Sequence, residues 1–247
     1  MARRYYSSEF FEYLVSSSQQ GAGFGETSQL PALKDISAEL GISVARLREQ
    51  LEVAESLGLV EVRPRTGIRR LPYQFGPAVS QSLSYAIALD SSHFELFSEL
   101  RNQLETVYWD QAVRCLTPED HRSLQDLVDR AWTKLQGEPI QIPHEEHRLL
   151  HLTIYARLNN PFVQGILESY WEAYEAVGLN VYTEYGYLQQ VWQYHQKIVE
   201  AIVSGQYLVG YRALVEHIGL LNQRPSRGFN YNHKEPNQPQ QLSEKTK

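Results

Sequence analysis

The amino-acid sequence predicts a mainly α-helical protein in two parts, a small N-terminal unit ending in a β-hairpin and a larger all-α helical bundle. Apolar residues recur with helical period over most of the chain, and prolines at positions 64, 72 and 77 interrupt this pattern. The 247 residues, 42% of them hydrophobic, suffice for two packed cores. We therefore expect domains at residues 1–76 and 77–222, followed by a tail at 223–247.

The charge divides along the same boundaries. The total is −6, but residues 1–72 are neutral, residues 73–222 carry −9 and residues 223–247 carry +3. An acidic total argues against a nucleic-acid-binding protein, yet the excess acidity lies in the middle segment alone. Four arginines crowd into residues 63–70 of the neutral segment. The tail is rich in Pro, Gln and Asn and is predicted to be disordered.

Cysteine content and hydropathy exclude several classes of protein. A single cysteine, Cys115, allows neither an intrachain disulfide nor a cysteine-rich zinc site. We find no signal peptide, and no apolar run approaches the roughly 18 residues of a membrane span. The expectation is a cytoplasmic protein that has no membrane contact.

The first part shows the element order of a winged helix-turn-helix. A helix at 6–19 precedes a short helix that buries Ile36 and stops at Gly41. Ser43 is placed to cap the next helix, which runs to Leu57, and LVEV, PRTG and IRRL follow as strand, turn and strand. In such motifs the second helix of the turn pair enters the major groove of DNA.

The stretch from Leu30 to Gly67 resembles the DNA-binding domain of the GntR family of bacterial transcription regulators. Its recognition helix typically begins SRTPVREAL, and the matching stretch here is SVARLREQL. Arg48 occupies the family's most diagnostic arginine and Gly67 its wing glycine. Val44 replaces an arginine and Arg46 replaces a proline, so base preference is expected to differ.

Basic residues of this unit are the candidate contacts to double-stranded DNA. Lys34, Arg63 and Arg65 suit phosphates, while Arg46 and Arg48 suit base edges, guanine most naturally. The alternative is a solvated helix face with an Arg46–Glu49 ion pair. One small neutral domain needs a second copy for useful affinity, which implies a homodimer on a pseudo-palindromic operator. The predicted DNA-binding residues are Lys34, Ser43, Arg46, Arg48, Arg63, Arg65, Thr66 and Gly67.

The second part predicts six helices and no strand. In the longest, SSHFELFSELRNQLETVYWDQAVRC, we expect Leu96, Leu100, Leu104 and Val107 to face inward. Four histidines fall on three of the helices: His147 and His151 one turn apart, His195 on the penultimate helix and His217 on the last. Imidazoles from several helices can converge in a bundle to bind metal. The alternative is that they are half-buried, hydrogen-bonded histidines.

This part resembles the FCD ligand-binding domain of the FadR subfamily of GntR regulators. The resemblance lies in ELRNQLE around Arg101, in HRLLHLTIYARLNNP, and in the closing histidines 195 and 217. Metal-binding members use one aspartate and three histidines, and His147 stands at the aspartate position here. Either all four histidines bind the metal, or only His151, His195 and His217 do. Imidazole ligands favour a divalent transition metal, Zn²⁺ or Ni²⁺ most of all.

The resemblance also implies an effector pocket beside the metal. Arg101 would grip a small carboxylate and Tyr108, two turns on, would bind the same molecule, although Arg101 has an alternative ion pair with Glu105. The predicted function is a ligand-responsive transcription regulator and not an enzyme. Two alternatives stay open: a regulator for which the metal itself is the effector, and a metal-dependent hydrolase.

Overall fold

The computed structural model describes residues 8–20, 27–177 and 184–221, with the backbone alone at 18–20 and 221. It confirms the predicted fold class, a winged helix-turn-helix followed by an all-α bundle. The predicted domain limits stay predictions. The stretch GAGFGE at 21–26, whose glycines are predicted to end the first helix, and the tail at 223–247 lie outside the described residues. No helix in the described ranges is long and apolar enough to cross a membrane.

The N-terminal unit packs three helices against a small antiparallel sheet in the order β1-β3-β2. Gly41 ends α2 at a φ of 65°, and Ser43 caps α3 by accepting a bond from the Arg46 amide. The core is centred on Phe10, Ile36 and other buried apolar residues. The elements are α1 (Glu9–Gln20), β1 (Ser28–Gln29), α2 (Leu33–Leu40), α3 (Val44–Ser56), β2 (Val60–Arg63) and β3 (Gly67–Arg70).

The described part of the bundle has seven helices, one more than predicted. The helix that was missed, α4, contains Pro77 in its first turn, where a missing amide hydrogen costs nothing. The seven helices are α4 (Gly76–Leu89), α5 (His93–Arg114), α6 (Pro118–Gln136), α7 (His144–Tyr155), α8 (Pro161–Ala176), α9 (Tyr185–Val203) and α10 (Tyr207–Leu221).

Helix α5 faces the opposite way from the prediction. Leu96 is 62% exposed, Leu100 45% and Val107 74%, so the expected inward stripe lies largely on the outside. Arg101 and Glu105 occupy the buried face instead, because the two side chains form an ion pair inside the bundle. We call Leu96, Leu100, Leu104 and Val107 the outer α5 stripe.

Helices α4 and α8 cross at close range where two glycines meet. A Cβ atom on Gly165 would lie 2.5 Å from the Gly76 amide nitrogen. Nearby, the Ser169 hydroxyl lies 3.1 Å from the Gly76 carbonyl oxygen. Since α4 begins six residues after β3 ends, this crossing fixes the start of the bundle just beyond the winged unit.

Candidate metal centre and nucleic-acid interface

Four imidazoles, three of them fully buried, come together in the middle of the bundle. His147 and His151 extend from one face of α7, His195 from α9 and His217 from α10. One potential ligand atom from each lies within 4.8 Å of those from the other three. The Nε2 atoms of His151 and His195 lie 3.2 Å apart, within hydrogen-bond distance. The structure therefore groups all four histidines that the sequence singled out.

Burial keeps these imidazoles neutral. His151, His195 and His217 are at most 1% exposed, and His147 is partly exposed as a residue although its Nε2 atom is buried. Desolvation lowers the pKa of all four rings well below its ordinary value, and neighbouring positive charge lowers it further. Neutral imidazole is the form that binds metal.

The hydrogen bonding of the cluster fits a cation. Within the described part of the chain, Nε2 of His147, Nδ1 of His195 and both nitrogens of His217 are buried without a hydrogen-bond partner. Each such atom costs about 1–3 kcal/mol. Tetrahedral zinc at about 2.0–2.1 Å from each nitrogen needs ligands about 3.3 Å apart. The His151–His195 pair already has about this spacing, and one ligand atom from each of the four rings lies within 4.8 Å of the others.

A buried ion pair borders the histidines. One carboxylate oxygen of Glu105, Oε1, lies 3.0 Å from His151 Nδ1 and also 3.0 Å from Arg101 Nη2. Arg101 and Glu105 are 1% and 0% exposed. Burial raises the pKa of the Glu105 carboxyl, and the Arg101 guanidinium opposes that rise. The ion pair given as the alternative for Arg101 is thus present, and it is part of the histidine site.

Arg101 still has unused donors. Its Nε atom is buried without a hydrogen-bond partner in the described chain, and its guanidinium carbon lies 4.7 Å from the centre of the Tyr170 ring. Tyr108 lies elsewhere in the network, since its hydroxyl accepts a long hydrogen bond of 3.4 Å from the Asn160 amide. An effector contact of either residue stays a prediction.

Two further residues near the site were not predicted to belong to it. Glu105 was noticed only as a partner for Arg101, although its i,i+4 spacing already placed it on the same face. His144 was overlooked; its ring stacks on Tyr174 at 5.4 Å and its Nε2 lies 3.0 Å from Glu175, outside the cluster. Glu146, next to His147 in sequence, lies on another face of α7 and pairs with Lys134 at 2.7 Å.

The predicted DNA-binding residues all lie on the surface of the winged unit. The eight are exposed: Lys34, Ser43, Arg46, Arg48, Arg63, Arg65, Thr66 and Gly67. Arg46 pairs with Glu9 at 2.7 Å instead of with Glu49, and Arg63 pairs with Glu61 at 2.8 Å. Both pairs are exposed, so they are weak and exchangeable.

The wing carries less positive charge at its surface than the sequence suggests. Arg70 is 7% exposed and Arg69 is half-buried, so two of the four clustered arginines do not project fully into solvent. Arg65 stands at the tip of the hairpin with a φ of 70°. Next to it, the Gln29 amide donates to the Thr66 carbonyl at 2.7 Å and fixes the turn to β1.

Comparison with known proteins identifies the bundle. Residues 96–220, half of the chain, match the FCD domain. The chain belongs to the FCD domain family. Over 141 residues it is 24% identical to the HTH-type transcriptional regulator McbR of Escherichia coli (strain K12), covering 56% of this chain and 64% of that protein. The matched region therefore spans less than two thirds of the length of that relative.

One solved structure extends the likeness of this FCD protein to the winged unit. Streptococcus agalactiae GntR superposes with a TM-score of 0.60 at 16% identity, over 87% of this chain and 96% of that one. E. coli McbR/YncC gives a TM-score of 0.47 at 20% identity, over 88% and 99% of the two chains. The first superposition shows a shared fold across both parts of the chain.

Proposed function

We propose that this protein is a cytoplasmic, DNA-binding transcription regulator of the GntR type and FadR subfamily, whose FCD bundle binds a divalent transition metal and a small carboxylate effector. The observation that carries the proposal is the cluster of four imidazoles, three of them fully buried, in a chain that also presents a winged helix. The relative and the structural neighbour described above are named as a transcriptional regulator and as GntR.

The DNA-binding half of the proposal depends on the surface of α3 and the wing. Arg48 and Lys34 are exposed and have no ion-pair partner among the described residues, so both can reach DNA. Arg46 is held by Glu9 only through an exposed pair, which DNA phosphates can displace. These side chains supply one half-site contact per chain.

A second copy of the chain supplies the other half-site. The outer α5 stripe is the surface that we assign to this homodimer, since its four apolar residues recur at helical spacing along one face, where three are exposed and Leu104 is half-buried. Contiguous exposed apolar patches mark interaction sites, and twofold pairing of identical patches is the commonest way to form a dimer.

Zn²⁺ or Ni²⁺ bound by His147, His151, His195 and His217 would supply a double positive charge that no carboxylate in the ligand set offsets. An anionic effector next to Arg101 would offset it, and this is the reason to propose a carboxylate. The effector regulates DNA binding only if it binds two arrangements of the dimer with different affinity.

A metal sensor is the second candidate function. Four protein ligands fill a tetrahedral zinc site and leave no open position, as in structural sites. In that case the metal alone would alter DNA binding. A metal-dependent hydrolase gains no support from Glu145 and Glu146, the acidic neighbours of His147 that are the candidates for a general base. Glu146 pairs with Lys134 away from the histidines, and Glu145 is exposed.

DNA binding is tested by a mobility shift with duplex from upstream of the protein's own gene at low salt. We expect a shift that Arg48→Ala weakens about 5-fold to 150-fold, which corresponds to the roughly 1–3 kcal/mol of a base contact. Arg122→Ala is the matched control, because Arg122 is an exposed arginine of α6, and it should behave as wild type. No shift with wild type, or equal loss in both variants, contradicts the proposal.

Metal binding is tested by elemental analysis after incubation with zinc and desalting. Wild type should retain about one zinc per chain, and the His151→Ala/His195→Ala variant should lose it. His144→Ala, a histidine of α7 outside the cluster, is the control and should retain zinc. Equal metal in the double variant and wild type would refute the site. DNA binding that follows added zinc without any organic ligand favours the metal-sensor function.

A further inference from the structure

Glu105 is buried against the histidine cluster and has no part in the ligand set. We propose that it is a positioning residue for the metal, which orients the His151 ring and balances the buried charge of Arg101. This inference rests on the proposed metal binding, since it concerns the same site. It is supported by the position of Glu105 Oε1, which lies 3.0 Å from both His151 Nδ1 and Arg101 Nη2.

Glu105 determines which nitrogen of the His151 ring carries the proton. A carboxylate only accepts hydrogen bonds, so the bond to Glu105 places the ring proton on Nδ1. The lone pair is then on Nε2, the atom that lies 3.2 Å from His195 Nε2 inside the cluster. Glu105 therefore presents His151 to the metal in the correct tautomer and orientation, an arrangement that strengthens a metal–imidazole bond.

The tautomer of His151 also determines which nitrogen of His195 carries a proton. Because His151 Nε2 accepts, the proton in the 3.2 Å contact belongs to His195 Nε2. Its other nitrogen, Nδ1, is buried without a partner in the described chain. A metal bound at His195 Nε2 would require that proton to move to the unpartnered Nδ1 of the same ring, and coordination by both rings would then replace their single hydrogen bond. His151 is thus already in the tautomer that can bind the metal, whereas His195 would have to change tautomer on binding it.

Glu105 also offsets positive charge next to the proposed metal. Four neutral imidazoles leave the ion's double charge in place, and Arg101 adds a further positive charge nearby. Glu105 is the carboxylate that contacts Arg101, and without it two buried cations would face each other. The Tyr155 hydroxyl, on α7, donates to the Glu105 carbonyl at 2.8 Å and so fixes α5 next to the helix of His151.

The test is a zinc titration of the full-length protein against a chelating dye. Glu105→Gln keeps the size of the side chain but removes its charge, and zinc affinity should fall about 10–100-fold. Glu146→Gln is the matched control: Glu146 is also a buried carboxylate, it adjoins His147, and it bonds to Lys134 away from the cluster. Its zinc affinity should stay within about twofold of wild type.

Each result separates the inference from the proposed function. If wild type binds no zinc, metal binding itself is refuted. If wild type binds zinc and Glu105→Gln binds it equally well, only the role of Glu105 is overturned. An equal loss of zinc affinity in Glu146→Gln also overturns that role, because removing the charge of any buried carboxylate near the site would then have the same effect. Cobalt-loaded samples add a spectroscopic readout, since a misplaced His151 changes the visible absorption bands of tetrahedral Co²⁺.

A measurement on wild type covers the case in which Glu105→Gln does not fold. Nitrogen-15 chemical shifts of the histidine rings distinguish the two neutral tautomers in the metal-free protein. We expect the His151 proton on Nδ1, whatever the fate of the variant. A proton on Nε2 of His151 would overturn the inference, because Glu105 would then not be orienting the ring.

Discussion

The crossing of α4 and α8 gives a sharp prediction about stability. In Gly165→Ala the new Cβ would lie 2.5 Å from the Gly76 nitrogen, 2.8 Å from Phe75 Cβ and 2.9 Å from the Phe75 carbonyl carbon. Backbone atoms cannot rotate away, so the two helices must separate by roughly 1 Å to regain ordinary contact distances. Overpacking of this kind costs about 1–3 kcal/mol.

Gly186→Ala is the matched control for this substitution. Gly186 is also helical, it is exposed, and a Cβ there would meet nothing within 4 Å. Alanine gains about 0.5–1 kcal/mol of backbone stability in a helix interior, as at Gly165, and less at Gly186 in the first turn of α9, so the difference between the two variants is a lower limit for the steric cost. At about 2–4 °C per kcal/mol, Gly165→Ala should melt about 2–12 °C below Gly186→Ala. Equal melting temperatures by differential scanning calorimetry would show that the helices do not cross this closely.

Three further perturbations have defined outcomes. Asp120→Asn should lose about 1–2 kcal/mol in urea unfolding at pH 7, because Arg157 lowers the pKa of Asp120. The Asp120 carboxylate contributes this stability above a pH of about 3.9, its pKa in the unfolded chain, and the contribution is lost as the pH falls through the lower pKa of the folded state. The difference in unfolding free energy between wild type and Asp120→Asn must therefore shrink below about pH 4. Ser43→Ala should lose about 1 kcal/mol with the cap of α3, and an unchanged urea midpoint would contradict the capping bond. Val107→Glu should shift sedimentation from dimer to monomer, whereas Ile140→Glu, 54% exposed but off the stripe, should not; a dimer in both rejects the outer α5 stripe as the interface.

The winged unit could be predicted almost completely from the sequence because its signals are local. Gly41 and Ser43 mark the turn between α2 and α3 through left-handed backbone and a side-chain cap, and both act as expected. The hairpin follows from alternation and a turn. Strand β1 escaped prediction, since two residues are too few for any periodicity and depend on pairing with β3.

The bundle shows where periodicity alone is insufficient. Apolar residues do recur along one face of α5, but their spacing does not show whether that face packs against the rest of the chain or lies on the outside of the bundle. Arg101 and Glu105 could be placed inside only by knowing that they pair with each other and with His151. Similarly, helical spacing put His147 and His151 on one face, while their meeting with His195 and His217 depended on the packing of three helices.

The most direct test of the central claim is the anomalous diffraction of a crystal grown with zinc and measured on both sides of the zinc absorption edge. If the histidine cluster binds zinc, one strong peak per chain is expected among His147, His151, His195 and His217, about 2.0–2.1 Å from Nε2 of His151 and of His195. Absence of a peak at saturating zinc, with the His151–His195 hydrogen bond intact, would contradict this claim.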